Sequence, residues 1–206
     1  MLPGYHTAGL LQHDIVVALE TLASIGYRSV AIRPRSGMLA PAEDGFGQQL
    51  LRVADAISRT KLRLVLDLNG HFCDDPWSLR GPSLAASERS EVEQARRSTE
   101  AWLKFAGELN SSLITLSSGP SSNHELEPDE SVLERLASQL DPLVTRAAEA
   151  GVRIALRPQH DDAISTVAKF ERLQQWLETD ELQLAADIGE MLLGHELPLA
   201  DRLARN

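Results

Sequence analysis

The stretch GYHTAGLLQHDIVVALETLASIGYRSVAIRP, Gly4 to Pro34, reads in order as a short strand, a turn, an amphipathic helix and a second strand. Ile15, Leu19, Leu22 and Ile25 recur at helical spacing, with Asp14 at the start and Gly26 as a stop, which predicts a helix between them. The β-branched run SVAIRP from Ser29 ends at Pro34 and predicts a strand. Strand, helix and strand in this order point to parallel strands joined by a right-handed crossover. The first turn then separates two architectures. An open nucleotide-binding sheet is expected to carry GxGxxG or GxxxxGK[ST] at this place. GYHTAGLLQHD has neither, and neither occurs elsewhere in the chain, so dinucleotide and P-loop readings are disfavoured.

The pattern repeats outward from that unit. A helix around Phe46 to Thr60 leads to RLVLDL at Arg63 to Leu68, and one around Glu91 to Leu109 leads to SLITL at Ser112 to Leu116. A helix from about Ser131 to Ala150, stopped by Gly151, precedes VRIAL at Val152 to Leu156. Its Pro142 is expected to kink it or to open a second helix, because proline removes a hydrogen bond. A helix around Ser165 to Leu177 precedes LQLAAD at Leu182 to Asp187, and PLADRLAR begins a last helix. With a first strand near Leu2 to His6, six strands alternate with helices, an α/β pattern. A closed barrel of eight such units takes ~250 residues. The expectation is therefore one partial barrel domain over residues 1–206, with about six of eight βα units.

The 206 residues carry 20 Lys+Arg against 30 Asp+Glu, a net charge of −10, and 43% are apolar. A chain of this size buries roughly 70% of its unfolded surface, enough for a core without metal or disulfide staples. The acidic balance argues against nucleic acid as a partner, since phosphate affinity rests on Lys and Arg. The one cysteine, Cys73, cannot form an internal disulfide or a thiolate metal site, which fits a reducing, cytoplasmic setting. No apolar run approaches the ~20 residues of a membrane span, and the first residues lack the features of a secretory signal.

Four pieces of the chain resemble the xylose isomerase-like TIM barrels, a family of sugar phosphate isomerases and epimerases with an endonuclease IV branch. They are the opening strand GYHT, the helix and turn ALETLASIGYRSVAIRP, the fifth-strand segment AAEAGVRIALRP, and DIGEMLLGHELP after strand six. The resemblance implies a TIM barrel and a divalent metal. It also implies a metal-binding glutamate at the end of strand five, where this chain has Arg157. The family's aspartate on strand six is kept as Asp187, and the histidine three residues later is replaced by Glu190. The other implied ligands come from strands seven and eight, which six units do not supply. The metal is therefore disfavoured here, and no cofactor is expected.

Barrel enzymes hold their reacting groups at the carboxyl ends of the strands. The polar residues so placed are His6, Arg33, Asn69, His71, Ser117, Arg157, His160, Asp187 and Glu190. Of these, Arg157, Asp187, Glu190 and His71 are candidates for catalytic work, and His6, Asn69, Ser117 and His160 for substrate binding. Each has a plainer reading. Loop histidines such as His71 and His6 often bond to backbone or solvent, and Ser117 and Ser118 could cap the next helix. Charges that follow apolar strands are seldom buried alone. Neighbouring strand ends lie ~5 Å apart, so Arg157 and Asp187 are expected to pair. SEVEQARRSTE reads as a solvated helix face with i,i+4 charge pairs.

Together these readings favour a sugar phosphate isomerase- or epimerase-like protein that acts on or binds a small carbohydrate, with a degenerate metal site. A non-catalytic binding or scaffolding barrel is the first alternative. An endonuclease IV-like repair protein comes last, because the chain is acidic and its histidines are scattered. Six strands would leave unpaired sheet edges, so a homo-oligomer or a partner chain covering them is also expected.

Overall fold

A computed structural model describes residues 2–69, 82–120 and 129–204. His71 and Cys73 lie outside the described residues. Among the described residues six strands form one sheet in the order β1-β2-β3-β4-β5-β6: β1 Gly4–His6, β2 Ser29–Ile32, β3 Arg63–Asp67, β4 Leu113–Leu116, β5 Arg153–Leu156 and β6 Gln183–Leu184. The order follows the chain, as in a TIM barrel, and does not reverse midway as in a doubly wound sheet. Tyr5 pairs in parallel with Val30, Val30 with Leu64, and Leu156 with Leu184. The helices between them are α1 Ile15–Ser24, α2 Phe46–Thr60, α3 Arg89–Glu108, α4 Asp129–Glu149 and α5 Val167–Gln174, followed by α6 Ile188–Leu193 and α7 Leu199–Leu203. None of the described helices is long and apolar enough to cross a membrane.

The chain divides into two compact units. One comprises Met1–Gly81 and Trp102–Ile114; the other comprises Pro82–Ala101 and Thr115–Asn206.

In the first unit, Asp14 Oδ1 accepts hydrogen bonds from Val16 N at 2.9 Å and Val17 N at 3.3 Å and so starts α1. Gly26, at φ 100°, turns the chain out of the helix, and Tyr27 N closes the end on Leu22 O at 3.1 Å. The buried stripe is Ala18, Leu19 and Leu22. Ile25, expected on it, is 66% exposed because it already lies past the last turn. Helix α2 has the bounds expected from sequence and buries Leu50, Val53, Ala56 and Ile57. Phe46, Trp102 and Phe105 pack edge to face, with ring centroids 4.8–6.3 Å apart.

In the second unit, α4 runs through Pro142 without opening a second helix. Leu133, Leu136, Ala137 and Leu140 before the proline and Leu143, Val144 and Ala147 after it form one buried stripe, and that burial offsets the lost hydrogen bond. Strand β6 is shorter than expected from LQLAAD: only Gln183 and Leu184 pair with β5. A 3-10 turn at Thr7–Leu10 and the six-residue α6 were not expected from the sequence.

Candidate functional site

Two groups of polar side chains lie at the carboxyl ends of the strands, one in each unit.

The first is organised by Asp67, the last residue of β3, which is 2% exposed. Its Oδ2 accepts from His6 Nε2 at 2.8 Å and from Arg33 Nε and Nη2 at 2.8 and 2.6 Å. Its Oδ1 accepts from Asn69 Nδ2 at 2.6 Å. A buried carboxylate is tolerable only with such donors around it. His6 ends β1 and starts the 3-10 turn, where its Nδ1 accepts from Ala8 N at 3.1 Å. Because Nδ1 is an acceptor there, these hydrogen bonds assign the ring proton to Nε2, the nitrogen that faces Asp67. Arg33 follows β2 directly, and its backbone N–H donates to Thr7 Oγ1 at 3.1 Å. One acid thus gathers donors from the ends of β1 and β2 and from its own loop. The sequence reading selected His6, Arg33 and Asn69 and missed Asp67. The signal was there: Asp67 is the one charge inside the otherwise apolar run LVLDL, the same criterion that singled out Asp187.

The second group surrounds the β5–α5 turn. Arg157 N donates to Leu116 O at 2.8 Å, and its Nη2 lies 3.4 Å from Gln159 Oε1. The turn closes on itself through Asp162 N to Gln159 O at 2.9 Å and Gln159 N to Ile164 O at 3.1 Å. Its far limb is tied to the segment after β4: Ile164 N donates to Ser118 Oγ at 3.0 Å, and Gly119 N to Asp162 Oδ2 at 3.2 Å. Gly119, at φ 74°, has Ser83 so close that an added Cβ would lie 2.4 Å from its Oγ. Its near limb is tied to α6, since His160 N donates to Glu190 Oε2 at 2.8 Å. Asp187 starts α6, its Oδ1 accepting from Gly189 N at 2.8 Å and Glu190 N at 3.3 Å. Glu196 holds the start of α5 through Val167 N at 2.8 Å and Ala168 N at 3.1 Å.

The expected ion pair between Arg157 and Asp187 does not form. Asp187 turns Oδ1 onto the N–H groups of the helix that it begins, and the short β6 gives way to that helix. The structure brings His160 to Glu190 and Glu190 to Asp187. Ser117 is half-buried, and its neighbour Ser118 is the serine that anchors the turn.

A divalent ion requires several carboxylate or imidazole donors facing one point. Among the described residues no three His, Cys, Asp or Glu side chains are so arranged. At the end of β5 stands a guanidinium, which is always protonated and has no lone pair to give. The described residues do not fit the ion.

The family model for the xylose isomerase-like TIM barrel matches residues 19–206. No curated protein matches the sequence. Among solved structures, the chain superposes on 3-keto-D-glucoside 4-epimerase from E. coli with a TM-score of 0.78 at 16% identity, covering 100% of this chain and 75% of that one. For D-psicose 3-epimerase the TM-score is 0.77 at 11% identity, covering 99% of this chain and 69% of that one. For an AP endonuclease, family 2, from Brucella melitensis it is 0.75 at 12% identity, covering 100% and 75%. At such identities the likeness shows the fold alone.

Proposed function

The chain belongs to the xylose isomerase-like TIM barrel family, and from that premise we propose that it is a sugar phosphate isomerase- or epimerase-like protein. Its ligand is a small carbohydrate, held at the carboxyl ends of the strands, and its metal site is degenerate.

The observation that carries this reading is the buried Asp67 with His6, Arg33 and Asn69 around it. Sugars are recognised by fixed donors and acceptors. A buried carboxylate that locks an imidazole, a guanidinium and an amide in place provides such a preorganised group. The other unit has candidates of its own, Arg157, Ser117 and His160, which stand at strand ends. Arg157 supplies a permanent positive charge where the family resemblance implies a metal-binding glutamate, and a carbonyl or hydroxyl oxygen is what it would hold. The epimerases with the same fold lend the carbohydrate class its support.

A protein that binds without turnover is the second reading, favoured by the capping of α6 by Asp187. Asp187 Oδ2, Glu190 and His71 remain the candidate acids and bases of the first.

Two further expectations belong to this account. A cytoplasmic setting is supported by the one cysteine in 206 residues. A second copy or another chain along the sheet edges is supported by β1 and β6, which among the described residues each have a neighbouring strand on one side only.

The test is calorimetric titration of the natural protein with D-psicose, D-fructose and D-tagatose, repeated with Asp67→Asn and Arg157→Gln. Binding that weakens in either variant supports the reading. Failure of every ketohexose to bind the natural protein would overturn it.

A further inference from the structure

We propose that Glu190 is a positioning residue: through the His160 amide it fixes the turn between Arg157 and Asp162, and Asp187 in turn sets Glu190. The inference rests on the reading of that turn as part of a ligand site.

The turn is held at both of its limbs. Its far limb is fastened by Ser118 Oγ on Ile164 N, by Asp162 on Gly119 N, and by Ala163 N on Gly119 O at 3.0 Å. At its start, Arg157 N is fastened to Leu116 O. At the tip, where exposed His160 sits, His160 N donates to the Glu190 carboxylate at 2.8 Å. A carboxylate accepting from a backbone N–H is a charge-assisted bond and stronger than a neutral one. This bond joins residues 30 apart in sequence, so it fixes the tip relative to α6 and not merely within its own loop.

Glu190 is itself placed. Asp187 Oδ1 accepts from both Gly189 N and Glu190 N, which orients the first turn of the helix carrying Glu190. Gly189 makes room for that carboxylate, since an added Cβ would lie 3.2 Å from Asp187 Oδ1. The order of dependence is therefore Asp187 to Glu190 to His160. Each of the two acids is thus an acceptor for backbone donors. Arg157 and His160, the proposed ligand contacts of this unit, stand on the turn that this relay holds.

The experiment compares the natural protein with Glu190→Ala and Glu190→Gln, reading hydrogen exchange of the His160 amide by NMR and the affinity for D-psicose by calorimetry. Glu190→Ala should raise the exchange rate about tenfold and weaken D-psicose about tenfold, the order expected for one charge-assisted hydrogen bond. Glu190→Gln keeps an acceptor oxygen and should restore most of both. Unchanged exchange in Glu190→Ala overturns the proposal, as does faster exchange with unchanged affinity. If the natural protein binds no ketohexose, the functional reading fails instead, and the exchange comparison alone decides whether Glu190 positions the turn.

Discussion

Arg33 Nη2 lies 2.6 Å from Asp67 Oδ2, and Nε of the same guanidinium lies 2.8 Å from that same oxygen. Both N–H groups converge on one carboxylate oxygen, which also accepts from His6. The other oxygen accepts from Asn69 Nδ2 at 2.6 Å. The arrangement joins the end of β3 to the ends of β1 and β2, so the same bonds serve the fold and the candidate site.

Replacing Asp67 by alanine leaves Arg33 and His6 facing a buried gap. Removing one partner of a fully buried pair costs ~3–5 kcal/mol. Because the Arg33 side chain keeps 24% exposure, the expected loss is smaller, about 2–4 kcal/mol. Asp67→Asn retains one acceptor and should lose about 1–2 kcal/mol. Urea denaturation of both variants checks the order as well as the size.

Asp14 offers a test by pH. Burial pushes its carboxyl up, but the Val17 N–H, the Arg52 side chain and the Val16 N–H outweigh this and hold it below the ordinary carboxylate range. A carboxyl with a depressed folded-state pKa stabilises the fold above its unfolded pKa, and the contribution is lost as pH falls through the folded value. Asp14→Ala should cost about 1 kcal/mol near neutrality, as for other helix caps. The difference from the natural protein should shrink in acid below the ordinary carboxylate range. A difference that stayed constant down to strong acid would contradict the capping role.

Two glycines with left-handed backbones separate strain from crowding. Gly151, at φ 70°, has open space where a Cβ would go, whereas a Cβ on Gly119, at φ 74°, would lie 2.8 Å from Ser83 Cα. Gly151→Ala should cost about 1 kcal/mol from the backbone alone. Gly119→Ala adds a clash with the backbone of a buried serine and should cost about 2–5 kcal/mol. Equal losses in chemical denaturation would show that Ser83 gives way freely.

The edges of the sheet lead to a prediction about association. Beside β6, Ile188, Leu192, Leu193 and Leu197 are 46–67% exposed, and strand edges in natural proteins are usually covered or paired. Sedimentation equilibrium over a wide concentration range should reveal self-association. A monomer at every concentration would count against it.

The strands and long helices were legible in the sequence because each carries a stripe or run with local stop signals. Phe46 to Thr60 is the clearest case. Its apolar spacing runs without interruption, and Lys61 then takes a left-handed conformation at φ 58° that ends the helix. Helix α6 was not legible. Six residues, one of them Gly189, make too short a period, and what specifies the helix is the Asp187 cap. That cap also explains why LQLAAD gives only two strand residues and why Asp187 does not meet Arg157. In the candidate site, spacing could select residues at strand ends, but it could not identify the acid that joins them. Asp67 becomes central only when the ends of β1, β2 and β3 lie side by side. His71 falls outside the described residues.

The central claim is that this chain holds a small carbohydrate without the divalent ion that its family resemblance implies. The most direct measurement is the calorimetric affinity for D-psicose in excess chelator and again in Mn²⁺. Equal affinity under the two conditions is the predicted result, because Arg157 already provides the positive charge and the described donors do not suit an ion. Binding that appears only with Mn²⁺ would contradict the account.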